Sequence, residues 1–241
     1  MSGVLLGPVV VIGLGGLGAP IAMALAKSNI AAIRLVDGDT VEKSNLHRQV
    51  LFTAADVHAP KARVVAEAMR RLGFEGVIEV VERFFVPEEA LEIARDASML
   101  IEGVDNLPCK FLVADVAALL RVPVVHSAAI RWEGTVLAKP PGGACYRCLF
   151  EDIPHGSEAP NCAGEGVAGP LVGVVGAWAA DRLLALREGA LEATELARFD
   201  GWAGAVRRTL VRPRENCALC ALYAAGSSFP IDRTRYAPPL T

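Results

Sequence analysis

Four cysteines fall in two matched pairs, Cys145-Tyr-Arg-Cys148 and Cys217-Ala-Leu-Cys220. One C-x-x-C can be a redox pair or chance. Two supply four soft thiolates, the ligand set of a tetrahedral zinc site with metal–sulfur distances of about 2.3 Å. The pairs lie far apart in the chain, so such a metal builds no local finger. It staples a late segment back onto the middle of the domain. Four protein ligands leave no coordination position open, so the expected role is structural. The competing reading is two disulfides. It is weakened because Met1-Ser2-Gly3 shows no basic leader or cleavage site, and because a chain of this size does not need disulfides to fold.

A second group of residues has the chemistry of a phosphate site. Gly13, Gly15 and Gly18 make G-x-G-x-x-G between an apolar run and an alanine-rich stretch. Glycines let the chain turn tightly and let backbone approach a phosphate, and the following helix offers free N–H groups and the positive end of its dipole. Asp37 comes about 20 residues after the last glycine, where an acid accepts hydrogen bonds from ribose hydroxyls. On these residues NAD, FAD and ATP fit equally. Ser44-Asn45-Leu46-His47-Arg48-Gln49, Lys61 and Asp105-Asn106 separate them. Arg48 and Lys61 read as cationic clamps for a triphosphate, and Asp105 as a ligand for Mg²⁺. A nicotinamide enzyme does not need two cations and a metal-binding acid beside its pyrophosphate. Taken singly, Arg48 and Lys61 are equally well solvated surface charges, and Asp105-Asn106 a turn or helix cap. Around one glycine loop, the functional reading prevails.

Positioning these residues requires a particular scaffold. Pro8–Ile12 reads as a buried parallel strand, Leu17–Ser28 as a helix, and Ala32–Val36 as the second strand. Pro60 is placed to start a helix that runs to Leu72. Val77–Val81 and Ser98–Ile101 read as strands with a short helix near Glu88–Arg95 between them. A helix over Leu107–Leu120 leads to the strand Pro123–Ser127. Strand and helix alternate, which predicts an α/β, Rossmann-like, doubly wound and mainly parallel sheet. After Arg131 the pattern changes to short β segments around the first cysteine pair, a polar loop from Glu151 to about Glu165, one long helix, and strands before the second pair. This is the expected zinc-stapled C-terminal β portion. Residues 1–222 are expected to form one domain, with 223–241 an irregular tail rich in proline.

With 241 residues, 53% of them hydrophobic, the chain supports one large domain or one domain with an appendage. Its net charge of −3 does not point to nucleic acid. The most apolar stretch, Val167–Leu186, carries Asp181-Arg182, and its uncharged part is too short to span a bilayer. It reads as a buried or subunit-interface helix, so no membrane partner is expected. The expected location is cytoplasmic.

Together these segments resemble the ThiF/MoeB/HesA family, the bacterial relatives of ubiquitin-activating enzymes. The resemblance rests on GLGGLG at 13–18, LVDGDTVEKSNLHRQVLF at 35–52, Pro60-Lys61, EGVDN at 102–106, CYRC at 145–148, NCAGEGVAGPLVGVVG at 161–176 and CALC at 217–220. It implies ATP, Mg²⁺ and Zn²⁺ as cofactors, adenylation of the C-terminal glycine of a ubiquitin-like sulfur-carrier protein, release of pyrophosphate, and attack by sulfur from a donor protein. It also implies a homodimer. The nucleotide is expected on Gly13, Gly15, Gly16, Gly18, Asp37, Asp39, Ser44, Asn45, Arg48, Lys61, Asp105 and Asn106, with Arg48, Lys61 and Asp105 acting on the reacting phosphate. Cys162 matches the position of a thiol that takes the activated carrier or exchanges sulfur; the alternative is an idle cysteine. Cys109 reads as a packing residue.

Relatives begin with a longer helical arm whose arginine enters the partner subunit's ATP site, and this sequence offers no counterpart there. His47 stands where glutamine is common, and Lys110 where relatives often carry arginine. Arg233-Thr-Arg235-Tyr236 is basic and aromatic like that arm. It is either a solvated tail or a segment that visits an ATP site. The rival functions are adenylation of a peptide or a tRNA base, a non-catalytic scaffold that binds a partner, and a Rossmann oxidoreductase.

Overall fold

The computed structural model describes residues 7–153, 166–224, 231 and 233–236. Strand β1 (Val9–Ile12) is four consecutive apolar residues, all buried, in the middle of the sheet. It pairs in parallel with β2 (Ala32–Val36) on one side and β4 (Met99–Glu102) on the other, Val9 lying opposite Ile33 and Met99. Strand β3 (Val77–Val81) forms the edge beyond β2, and β5 (Val124–Ile130) lies beyond β4.

From β5 onward the strands pair antiparallel. The chain reverses at Arg131-Trp132, where Arg131 takes a left-handed φ of 50°. Strand β6 (Glu133–Lys139) then runs back along β5, and β7 (Thr194–Asp200) and β8 (Ala205–Val211) continue as an antiparallel meander. The eight-stranded order is β3-β2-β1-β4-β5-β6-β7-β8. Strand order reverses between β1 and β4, and the crevice at the carboxyl ends there is where ligands of open α/β sheets bind.

Alternation along the strands divides the core into two layers. Val9 and Val11 face helices α1 (Gly18–Leu25), α2 (Lys61–Arg71) and α6 (Gly169–Arg187). Val10 and Ile12 face α3 (Ala90–Ile93), α4 (Leu107–Leu120) and α5 (Tyr146–Phe150). Each such buried aliphatic side chain stabilises the fold by about 1.5–3 kcal/mol. Helix α6 is 19 residues long and, by length and composition alone, apolar enough to cross a membrane. In the fold it buries Leu171, Val175, Ala179 and Leu183 against α1, β5 and β6 and exposes Val174 on its far side. That is the core or interface helix expected.

Three expectations need correction. The strand expected to end at Ser127 runs to Ile130, because it pairs with β6 along its whole length. Among the described residues the first cysteine pair is flanked by one strand, β6, on its N-terminal side. Cys145 begins helix α5, and the Cys148 N–H donates to the Cys145 carbonyl at 3.0 Å. The helical turn places Tyr146 and Leu149 together on the core. Finally, residues 223–241 are not uniformly irregular. Helix α7 (Ala218–Ala224) crosses the boundary expected after Leu222, and α8 (Arg233–Tyr236) is a helical turn with Tyr236 buried. It is held there because its polar groups find a buried acid, Asp115, that no local pattern reveals.

Candidate functional site

The glycine loop leaves β1 with Gly13 at φ +76°, a left-handed conformation that side chains resist. Gly18 opens α1 so close to this turn that a Cβ would meet the Gly13 carbonyl oxygen at 1.7 Å. The loop is locked from β2 by Asp37, whose Oδ2 accepts from the Leu14 N–H at 2.7 Å and whose Oδ1 accepts from the Asp39 N–H at 2.8 Å. Burial pushes the Asp37 carboxyl above its ordinary range, although both backbone donors favour the ionised form.

Around this loop lies a cleft of about 410 Å³. Of the residues expected at a nucleotide, Gly13, Gly15, Gly16, Asp37, Asp39, Asn45, Arg48, Lys61, Asp105 and Asn106 line it. Gly18 supports the loop from below. Ser44 is not on the wall; its hydroxyl donates to Glu42 at 3.1 Å. Cys162 lies outside the described residues.

Lys61, at the head of α2, is only 5% exposed, and its Nζ donates to Asp39 Oδ2 at 2.9 Å. Arg48 and Gln49 line the same cleft beside the glycine loop. The Gln49 amide sits 3.3 Å from where a Gly15 Cβ would lie, and its buried Oε1 has no hydrogen-bond partner among the described residues. A bare cradle beside an unpaired amide fits a polar ligand. The Asp105 side chain is exposed at the mouth, and no ion pair to it is seen among the described residues. Asn106 caps α4, its Oδ1 accepting from the Cys109 N–H at 2.9 Å, so the helix-cap reading holds for this residue although it also lines the cleft. Cys109 lines the wall too, but burial pushes its thiol up to about 12, which leaves it a neutral packing group.

Beneath Asp105 lies a cluster that sequence reasoning missed. Glu102 is fully buried at the end of β4. Its two oxygens accept from Lys110 Nζ at 2.8 and 2.9 Å, Oε1 accepts from the Ser127 N–H at 3.2 Å, and Oε2 accepts from the Val104 N–H at 2.9 Å. The last bond fixes the loop that presents Asp105. Burial opposes its charge, but Lys110 holds the Glu102 carboxyl below the usual range. Burial pushes the His126 imidazole below its ordinary range; its ring lies 4.7 Å from that of Tyr146, tilted by 45°. A glutamate ending the apolar run Met-Leu-Ile was the signal available.

A second buried network surrounds Asp115 in the middle of α4. Arg147 grips it with two donors, Nε to Oδ1 at 3.0 Å and Nη2 to Oδ2 at 2.9 Å, and lies 4.9 Å from the Phe111 ring. Tyr236 donates its hydroxyl to Asp115 Oδ2 at 2.8 Å, and Arg235 Nε approaches the same oxygen at 3.2 Å. Tyr236 also lines the cleft. A lone aspartate inside the apolar run Leu-Val-Ala-Asp-Val-Ala could have pointed to it.

The four paired cysteines converge. Their sulfurs lie within 4.8 Å of one another, with separations of 3.7 Å for Cys145–Cys148, 3.4 Å for Cys145–Cys217 and 3.5 Å for Cys148–Cys220. A disulfide needs about 2.05 Å. Four sulfurs at about 2.3 Å from one centre stand about 3.8 Å apart, which these distances approach. The Arg214 N–H donates to Cys148 Sγ at 3.4 Å, an outer hydrogen bond suited to a thiolate. Buried Lys139 lies against the cluster; burial lowers its pKa, while the neighbouring cysteines favour its charged form. Donor type, spacing and charge all fit a tetrahedral metal.

The profile of the ThiF family matches residues 7–219. The adenylyltransferase and sulfurtransferase uba4 of Emericella nidulans is 37% identical over 232 residues, covering 90% of this chain and 48% of the relative. The chain thus spans about half the length of that relative. The sulfur carrier protein adenylyltransferase of Thermus thermophilus is 36% identical over 220 residues, covering 88% of this chain and 81% of the relative. Among solved structures, that of Escherichia coli MccB with ATP superposes with a TM-score of 0.76 at 22% identity, covering 89% of this chain and 66% of that one. This last likeness concerns the fold.

Proposed function

The chain belongs to the ThiF family, and from this we propose that it is an adenylyltransferase that uses ATP to activate the C-terminal carboxylate of a small ubiquitin-like sulfur-carrier protein. The observation that carries the reading is the convergence of Lys61, Arg48, Asp37 and Asp105 on one cleft around the glycine loop. The name of the Thermus thermophilus relative, with which the match covers 81% of that protein, supports it.

In this reading Asp37 takes the ribose, while the glycine loop and the N-terminus of α1 face the phosphates. A carrier carboxylate oxygen attacks the α-phosphorus, the bond to the bridging oxygen breaks, and pyrophosphate leaves with that electron pair. Two anions meet in this step, so positioning and neutralisation matter more than a general base. Lys61 and Arg48 supply fixed positive charge. Lys61 reaches the cleft already oriented by Asp39, so little reorganisation is required. Asp105 would hold Mg²⁺, which when bound adds charge neutralisation at the phosphates. The cysteine centre would hold Zn²⁺ in a closed structural role. Cys162 would act only after pyrophosphate has left, in transfer of the carrier or exchange with a sulfur donor. A homodimer is the proposed assembly.

The deciding experiment is ATP–pyrophosphate exchange by the purified chain with and without a ubiquitin-like carrier ending in glycine. Exchange that depends on the carrier supports the reading. Nucleotide binding with no exchange in the presence of any carrier would favour a non-catalytic scaffold, and exchange without a carrier would favour another substrate.

A further inference from the structure

The apolar end of the cleft is closed by a segment far away in the chain. Asp37 and the cations account for the ribose and phosphate end. The remaining wall is formed by Phe84, Phe85 and Val86 after β3, by Val104 and Leu112, and by Tyr236 of α8. Tyr236 is buried and packs in the same core layer as Phe85 and Leu112, which Ile231 also joins. Its one polar group is already committed, since the hydroxyl donates to Asp115 at 2.8 Å. Asp115 is 0% exposed and lies below the wall. The hydroxyl end therefore points into the protein, and what Tyr236 offers the cleft is ring carbon.

The anchoring is redundant. Arg147 and Arg235 meet the same carboxylate, and on the other rim Arg233 approaches Glu88 at 3.6 Å, just beyond the Phe84–Val86 wall. Leaving Asp115 unpaired in the core would cost several kcal/mol, so its partners are held in place strongly. An aromatic face fixed between a buried acid and an apolar wall suits a flat heteroaromatic ring.

We propose that Tyr236 is a base-binding residue. The C-terminal turn completes the pocket for the nucleobase, and Asp115 is the positioning residue that aims the tyrosine ring at it. This rests on the nucleotide reading of the cleft given above. It assigns the Arg233–Tyr236 turn to the base end of the site in its own subunit, where the ring and not an arginine meets the ligand.

Titration calorimetry of the full chain with ATP and, separately, inorganic tripolyphosphate, both with Mg²⁺, tests it. Tripolyphosphate shares the phosphate end and lacks the base. Tyr236→Ala should weaken ATP by about tenfold or more, about 1.4 kcal/mol, and leave tripolyphosphate within about twofold. Tyr236→Phe, which keeps the ring but loses its hydrogen bond to Asp115, should fall between the wild type and Tyr236→Ala in ATP affinity. Unchanged ATP binding in Tyr236→Ala, or an equal loss for both ligands, overturns the proposal. Wild-type protein that binds neither ligand defeats the nucleotide reading itself. Should Tyr236→Ala fail to fold, trypsin cleavage after Arg235 in the wild type gives the answer. Saturating ATP should slow it and tripolyphosphate should not; equal rates with and without ATP overturn the assignment.

Discussion

Lys61 is committed to Asp39 before any ligand arrives, and this makes it more than a mobile surface cation. A buried ammonium with a fixed partner keeps its place as phosphate charge develops. Lys61→Ala and Arg48→Ala should each lower carrier-dependent pyrophosphate exchange by about 10²-fold or more. Asp105→Ala should abolish it while the melting temperature stays near wild type, because that side chain is exposed. Normal exchange by Asp105→Ala would show the acid to be a bystander. Cys162→Ala, by contrast, should exchange at the wild-type rate, since a thiol has no part in displacing pyrophosphate. The residues of the cleft were legible in the sequence because their types are rare in such combinations. Asp115 and Glu102 were not, because one acidic letter inside an apolar run does not say whether it faces solvent or a partner. Their partners come from other elements: Arg147 of α5 for Asp115, and Lys110 of α4 for Glu102 at the end of β4.

At the level of elements, the parallel strands were easy to read: each is a short apolar run ending where a polar ligand-facing loop begins. The antiparallel end was harder, since β8 is exposed along most of its length and its residues carry no burial signal. Strands β4 and β5 meet over the Glu102–His126 pair, which gives the sheet a pH dependence. Burial holds the His126 imidazole below its ordinary value of about 6.5 in the fold, while in the unfolded chain it titrates near that value. Below about pH 6.5 the unfolded state therefore binds the extra proton and the folded state does not, so stability falls as pH falls. Glu102 adds to this at lower pH: its depressed pKa contributes stability that is lost as pH falls below about 4.5. Thermal melting from pH 8 to 5.5 should show a declining midpoint, and His126→Gln should flatten that slope. A slope unchanged in the variant would assign the acid sensitivity elsewhere. Helix α5, which carries the first cysteine pair, should respond to metal instead. The purified chain should carry about one zinc, and Cys148→Ser or Cys220→Ser should lose it and lower the melting temperature. Metal analysis of protein prepared without added zinc decides this, and protein purified free of metal whose melting temperature does not rise when zinc is added would reject it.

Across the whole molecule, the cysteine centre and the cleft are joined by few residues. Cys145 and Cys148 enclose Tyr146 and Arg147. Tyr146 packs on His126, and Arg147 grips Asp115, which anchors Tyr236 at the cleft. Cys217 and Cys220 fix α7, from which the chain proceeds to that same tyrosine. The cysteines pack in a small cluster of their own with Ala118 and Leu219, apart from the two large layers of the core. Removing the metal should therefore loosen α5, α7 and the turn at Tyr236 while the parallel strands stay intact. After chelation, far-ultraviolet circular dichroism should remain close to that of the zinc-bound protein. ATP affinity should fall about as far as it does in Tyr236→Ala, tripolyphosphate binding should persist, and added zinc should restore the difference. In Tyr236→Ala itself chelation should cost ATP little more, since the two changes break the same link. Full ATP affinity in chelated, folded wild-type protein would show that the metal holds only its own loop and that Asp115 alone keeps the tyrosine in place.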